Sequence, residues 1–276
     1  MSEFTINCKG KLVELDTPKV MGILNITPNS FYDGGRYKND TDFLKQAESM
    51  LSDGASFLDL GAYSSKPNAD FVSVEEESQR LLPVLELLLK EFPNAIISID
   101  TFRADVAKKA INSGAAIIND ISGGMLDPNM LSTVGELGVP YIMMHMRGTP
   151  NTMQQFTQYT NLINDILYYF SERIAAAKSH NVKDIIIDPG FGFSKTLDQN
   201  YELMQKMELF SILELPLLVG ISRKSMIYKL LGTTPKEALN GTTVLNTISL
   251  QKGAKILRVH DVKEAVETLQ ILNKIL

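Results

Sequence analysis

The chain has a single cysteine, Cys8, among 276 residues, so it can form no internal disulfide, and no Cys/His spacing resembles a zinc site. It has no surplus of positive charge either. Its 27 Lys and Arg stand against 32 Asp and Glu, a net charge of −5, which disfavours nucleic acid as a partner because that binding wants a basic face. No apolar run approaches the roughly 20 residues that span a bilayer. The opening "MSEFTINCKGKLVEL" lacks both the basic start and the apolar core of a secretory signal. Linkers, low-complexity tracts and shifts of charge are absent too. These absences predict a cytoplasmic protein with no membrane association and a single domain over residues 1–276. What remains is ordinary globular composition, 44% hydrophobic and 21% charged. The length suits a (β/α) barrel, which typically runs to roughly 250 residues.

Short runs rich in Val and Ile alternate with longer segments of helical period. The runs cover residues 20–26, 57–60, 95–100, 116–121, 140–145, 184–188, 216–221 and 255–260. Most are continuously apolar, as strands buried on both faces are. Helical patterns such as "TDFLKQAESMLSDG", "VEEESQRLLPVLELLLKEF", "ADVAKKAINSG" and "NLINDILYYFSERIAAAKSHN" lie between them. Ser73 with Glu76 makes a capping box, and the acidic run Glu75, Glu76 and Glu77 suits a helix N-terminus; the run needs no functional reading. Eight strands alternating with eight helices predict an α/β fold of the TIM type, a closed (β/α)8 barrel. A doubly wound open sheet is the alternative. Residues 4–15 alternate around Gly10 and predict an N-terminal β-hairpin at the bottom of the barrel.

Active sites of such barrels sit at the C-terminal ends of the strands. Here those ends carry Asn25, Asp59, Asp100, Asn119 with Asp120, His145, Asp188, then Ser222, Arg223 and Lys224, then Arg258 and His260. A single Asp or Asn at a strand end often only caps the next turn; so many of them argue for a shared mouth. Asp100, Asn119 and Asp188 can accept hydrogen bonds from a flat N–H-rich heterocycle, and Lys224 can donate to its carbonyl or ring nitrogen. Arg258 and His260 are two apart on a strand and share a face. With Arg223 and Lys224 they form a cationic set after strands seven and eight, where barrels commonly hold phosphate. His145 reads equally as a satisfied structural histidine, His180 as a helix cap and Cys8 as a small buried hydrophobe.

The stretch "MGILNITPNSFYDGG", residues 21–35, ends an apolar strand on the amide Asn25 and continues into a polar, Gly-closed loop. A second loop, "GAYSSKPNAD", is rich in hydroxyls and turn formers. Both read as mobile βα loops at the mouth.

With "SIDTFRADVAKKAINSGAAIINDISGG", "MHMRGTPNTMQ", "IIIDPGFGFSKT", "VGISRKSMI" and "RVHDV", these stretches resemble the dihydropteroate synthase family, in the family's order and over nearly the whole chain. The resemblance implies a transferase of folate biosynthesis and a target of sulfonamides. Such an enzyme condenses 6-hydroxymethyl-7,8-dihydropterin diphosphate with p-aminobenzoate, giving 7,8-dihydropteroate and pyrophosphate, with Mg²⁺. It implies that Asp100, Asn119, Asp188 and Lys224 hold the pterin, with Met143 and Phe191 on its ring faces. Asn25 would help bind Mg²⁺ and the diphosphate, with Arg258 and His260 on the anion; Lys224, Arg258, His260 and Asp100 would carry the catalysis. Phe31, Ser65, Pro67 and Ser222 would shape the p-aminobenzoate site. The resemblance also implies a homodimer, with "NGTTVLNTISLQKG" as a contact helix. The chain departs from the usual family pattern at Asn29, Tyr32, Lys66 and Asn68, and at Ser194, where the pattern has glycine. Corrinoid methyltransferases share the barrel and a pterin pocket but release no diphosphate, so Arg258, His260 and "SRKS" argue against that kinship.

Overall fold

A computed structural model describes residues 4–26, 36–63 and 72–275, with no side-chain description over 36–41. Phe31, Ser65 and Pro67, and the departures at Asn29, Tyr32, Lys66 and Asn68, lie outside the described residues. The chain opens with β1 (Thr5–Cys8) and β2 (Lys11–Glu14), an antiparallel pair in which Cys8 faces Lys11. Lys9 and Gly10 both take positive φ, 53° and 87°, as a two-residue hairpin turn requires.

Eight strands then close a parallel barrel: β3 (Lys19–Asn25), β4 (Phe57–Gly61), β5 (Ile97–Asp100), β6 (Ile117–Asp120), β7 (Tyr141–Met144), β8 (Ile185–Asp188), β9 (Leu217–Val219) and β10 (Ala254–Val259). β10 pairs with β3 and closes the ring, which excludes the open sheet. The helices are α1 (Arg36–Ser52), α2 (Val74–Glu91), α3 (Ala104–Asn112), α4 (Met130–Leu137), α5 (Leu162–Ser179), α6 (Leu197–Gln205), α7 (Ser225–Leu231), α8 (Leu239–Gln251) and α9 (Val262–Ile275). The described chain thus carries one helix more than strict alternation predicts. α7 and α8 both follow β9, because Gly232 at φ 64° ends α7 and Pro235 follows in a short 3₁₀ turn.

The period of two along each strand splits the apolar runs between two cores. Outward residues such as Leu58, Leu60, Ile97, Ile99, Tyr141 and Met143 pack under the helices. The inward residues Met21, Phe57, Ile117, Ile142, Ile186, Leu218 and Ile256 fill the lower barrel and pack on Ile6, Cys8 and Leu15 of the hairpin. The hairpin therefore seals the N-terminal end of the barrel, as the sequence predicts. It is tied down where Asn7 N–H donates to Asp184 at 2.7 Å, just below β8. Cys8 is buried there, and burial first, then the Asp184 charge, pushes its thiol up to about 12.

Two residues further along most of these strands the inward positions turn polar. Phe57 is followed by Asp59, Ile117 by Asn119, Ile186 by Asp188 and Ile256 by Arg258. The same alternation that fills the floor of the barrel therefore builds the wall of its mouth.

Candidate active site

β4, β5, β6 and β10 bring four side chains into one network. Arg258 Nε donates to Asp59 Oδ2 at 2.6 Å, and its Nη2 donates to Asp100 Oδ2 at 2.7 Å. Asn119 Nδ2 donates to the same Asp59 oxygen at 3.0 Å. Asp59 is fully buried, and its Oδ1 has no hydrogen-bond partner among the described residues. With its amide nitrogen taken, Asn119 is left to present its Oδ1. Burial raises the Asp100 carboxyl above its ordinary value, opposed by Arg258. The guanidinium itself shifts up, because Asp59 and Asp100 outweigh the cost of burial.

β8 and the β9–α7 connection supply the other half. Asp188 Oδ1 accepts from Gly190 N–H at 2.8 Å, and burial raises its carboxyl against the lowering pull of Lys224. Burial pushes the Lys224 ammonium down to about 8, although Asp188 holds it up. Lys224 Nζ donates to Phe191 O at 2.5 Å and lies 4.8 Å from the centre of the Phe193 ring. Gly190 is required here: at φ 71° an added Cβ would stand 2.1 Å from His145 O.

Two ring-lining expectations are corrected. Met143 is fully buried under the helices, and Met144, paired with Asp188 in register, is the methionine that shares the inward face. Phe191 is likewise fully buried in the outer core, while Phe193 packs beside Met144 and Met146 at the mouth. Alternation decides the methionines, since neighbours in a strand point to opposite faces; the phenylalanines lie beyond the end of β8, and the turn through Gly190 and Gly192, both at positive φ, sets which of them faces the mouth.

The cationic set is corrected as well. Arg223 turns away from the mouth: Nε and Nη2 grip Asp261 at 2.9 and 2.7 Å, and Nη1 donates to Pro235 O and Lys236 O. Arg258 stands among the acids rather than apart from them. His260 is exposed by surface area, yet crowding by neighbouring atoms first, and then the Arg258 charge, hold its imidazole down to about 4, so at neutral pH it is uncharged. Ser222 Oγ accepts from His260 N–H at 3.1 Å and lies 3.0 Å from Nδ1.

Other strand-end residues are structural. Asp120 accepts from Ser122 N and Oγ, Gly124 N and the Tyr141 hydroxyl, all at 2.6–2.7 Å. Buried His145 takes a hydrogen bond from Lys195 Nζ at 3.1 Å, and exposed His180 ends α5. Ser73 Oγ caps α2 through Glu76 N–H, but the Glu76 carboxylate pairs with Arg80 rather than closing a capping box. Glu77 does more than start a helix: it is buried, paired with Arg103 at 2.6 Å, and accepts from Thr101 at 2.7 Å. The sequence places Asp59 only among the strand ends and Glu77 only in an acidic helix start, and gives Lys195 no role. Glu77 lies 4, 7 and 11 residues before Leu81, Val84 and Leu88, the buried stripe of α2, which is a signal for an inward acid.

For a metal, the described residues contain no cluster of three or more His, Cys, Asp or Glu side chains that could hold an ion. Asn25 is exposed at the end of β3. Its Oδ1 would lie 3.6 Å from a Cβ added to Gly61, whose opposite neighbour is Asp100. One amide oxygen beside the anion-facing groups suits magnesium, which takes oxygen ligands and keeps several waters. Among the described residues no helix is long and apolar enough to cross a membrane.

Comparison with known proteins adds to this geometry. Residues 21–260 match the family described as pterin binding enzyme. Dihydropteroate synthase of Escherichia coli K12 is 42% identical over 266 residues, covering 96% of this chain and 94% of its own. A Yersinia pestis dihydropteroate synthase crystal structure with a sulfonamide drug complex superimposes with a TM-score of 0.91 at 39% identity, over 99% of both chains. The Xanthomonas albilineans enzyme in complex with 7,8-dihydropteroate gives 0.87 at 33% identity, over 99% of this chain and 98% of that one.

Proposed function

The chain belongs to the pterin-binding enzymes and, among them, to the dihydropteroate synthases, and from that premise we propose how the groups at its mouth divide the work. The reaction joins 6-hydroxymethyl-7,8-dihydropterin diphosphate to p-aminobenzoate and yields 7,8-dihydropteroate and pyrophosphate. The pterin lies between Asp100, Asn119 and Asp188, which accept from its N–H edge, and Lys224, which donates to its carbonyl side. Met144 and Phe193 cover its faces. The observation that carries this reading is the convergence of these side chains from β5, β6, β7, β8 and the two connections beyond β8 and β9 on one inner face.

At the rim, Asn25, Arg258 and His260 meet the diphosphate. Arg258 keeps Nη1 for the anion while Asp59 and Asp100 fix its plane. His260 contributes a neutral imidazole rather than a charge. Magnesium held by Asn25, diphosphate oxygens and water would supply further neutralisation of the leaving group. The bond that breaks joins the pterin methylene to the diphosphate oxygen, and the electron pair leaves with the diphosphate. The electron-rich ring can carry the resulting positive charge, so departure precedes attack. The aryl amine of p-aminobenzoate is neutral at pH 7 and then attacks the methylene carbon. No strong general base is needed, because the nitrogen becomes strongly acidic as its bond to carbon forms and sheds one proton to water or to the departing diphosphate. The protein's main contribution is electrostatic preorganisation. Ser222, with Phe31, Ser65 and Pro67 from outside the described residues, belongs to the p-aminobenzoate side.

The chain works as one cytoplasmic domain and as a homodimer. Exposed Leu230 and Leu231 on α7 and Val244 on α8 form the apolar face that supports the dimer. The test of the reaction is pyrophosphate release from the two substrates, with and without a chelator. Release is expected to need p-aminobenzoate and to fall when Mg²⁺ is chelated. Methyl or pterin transfer without pyrophosphate would contradict the assignment.

A further inference from the structure

Ser194 stands where the family pattern has glycine, and its backbone takes φ 50°, a left-handed conformation uncommon for residues with a Cβ. The hydroxyl compensates. Ser194 Oγ accepts from Arg147 N–H at 2.8 Å and donates to Arg147 O at 2.9 Å. The Tyr159 hydroxyl donates to Ser194 O at 2.9 Å. Arg147 lies 3.9 Å from the centre of the Tyr159 ring, pairs with Asp165 at 3.1 Å and donates to Gln158 O at 2.6 Å. The β8–α6 connection is thereby fastened to the β7–α5 connection.

The fastened segment is the one that surrounds Lys224. Phe191 O accepts from its ammonium. Gly192 lies against its chain, with an added Cβ 3.4 Å from Cδ. The Phe193 ring stands 4.8 Å from Nζ. Beneath the segment, buried Lys195 donates to Gly190 O, Phe193 O and His145 Nδ1 at 2.9, 3.0 and 3.1 Å, so the loop is pinned from below by Lys195 and from the side by Ser194. A glycine at 194 would adopt the same φ without strain but could not make the side bond.

We propose that Ser194 is a positioning residue for the pterin subsite, its hydroxyl latch to Arg147 setting the 190–193 segment against Lys224. The proposal rests on the reading that Lys224 and Phe193 meet the pterin. Its test uses the purified full chain with Ser194→Gly and Ser194→Ala, read by melting temperature and by KM for each substrate. In Ser194→Gly, relief of strain offsets the lost bonds. Its melting temperature is expected to hold, while KM for the dihydropterin diphosphate rises about three- to tenfold, as losing one or two hydrogen bonds implies. KM for p-aminobenzoate is expected to stay at the wild-type value. Ser194→Ala is expected to show the same KM shift with a lower melting temperature, because it keeps the strain and loses the latch. A wild-type KM for the dihydropterin diphosphate in Ser194→Gly would overturn the proposal. So would an equal rise in both KM values, which would mean general loosening. A wild-type chain that makes no dihydropteroate would overturn the functional reading itself, and the proposal with it.

Discussion

At the scale of single residues, the mouth is a set of charges held away from their ordinary values by burial. Asp100 and Asp188 are raised, and Lys224 is pushed down to about 8. Acceptors that must be ionised lose pterin as pH falls through a raised carboxyl value. A donor that must be protonated loses it as pH rises through the lysine's. Pterin affinity is therefore expected to peak near neutrality, with an acid limb above the ordinary carboxylate range and an alkaline limb near 8. Titration of 6-hydroxymethylpterin binding against pH checks this, with Lys224→Gln as control. The alkaline limb due to the protein should vanish in that variant, and its persistence would remove Lys224 from the subsite. Residue identity at the strand ends was legible in the sequence, because acids and amides interrupt apolar runs there. Residue direction was less so. In "YIMMHM" both neighbours are methionine, and in "GFGF" both are phenylalanine, so composition carries no trace of which one faces inward. Asp59 lay in plain sight as an acid two residues after inward Phe57, but its part as the hub beneath Arg258 and Asn119 needed coordinates.

At the scale of elements, the connections after the strands are fastened by buried ion pairs and strained turns more than by regular structure. The β5–α3 connection, immediately after Asp100, is held by Glu77 on α2: its carboxylate takes Arg103 Nη1 at 2.6 Å and Thr101 Oγ1 at 2.7 Å, and Thr101 Oγ1 in turn accepts from Arg103 N–H at 3.2 Å. Removing one charge of a buried ion pair costs about 3–5 kcal/mol. Glu77→Ala is expected to lose that much in denaturant unfolding and to weaken pterin binding through Asp100. A loss under about 1 kcal/mol would mean the pair behaves as an exposed one. All eight barrel strands were legible from their apolar runs to within a few residues. The division after β9 was not: Gly232 and Pro235 break one expected helix into α7 and α8, and the helical period alone does not mark that break.

At the scale of the whole molecule, the closed barrel makes one inner surface from eight separated segments, which is why acids 158 and 199 residues before Arg258 can share its guanidinium. The outer surface has a consequence for assembly. Leu230, Leu231 and Val244 are exposed on adjoining helices, and a face of that kind suits a self-complementary contact between two copies. Sedimentation should find a dimer for the wild-type chain and a monomer for Val244→Asp; a monomeric wild type would exclude the contact. The barrel, its sealed bottom and its polar mouth all follow from period-two alternation along eight short strands, and the chemistry follows from what stands at the top of each. That claim is tested most directly by calorimetric titration of 6-hydroxymethylpterin into the wild-type chain and Asp188→Asn. The substitution keeps an oxygen for Gly190 N–H but removes the ionised acceptor. Affinity is expected to fall about 10- to 100-fold, the worth of a hydrogen bond to a charged group. Unaltered affinity would contradict a pterin held between these acids and Lys224.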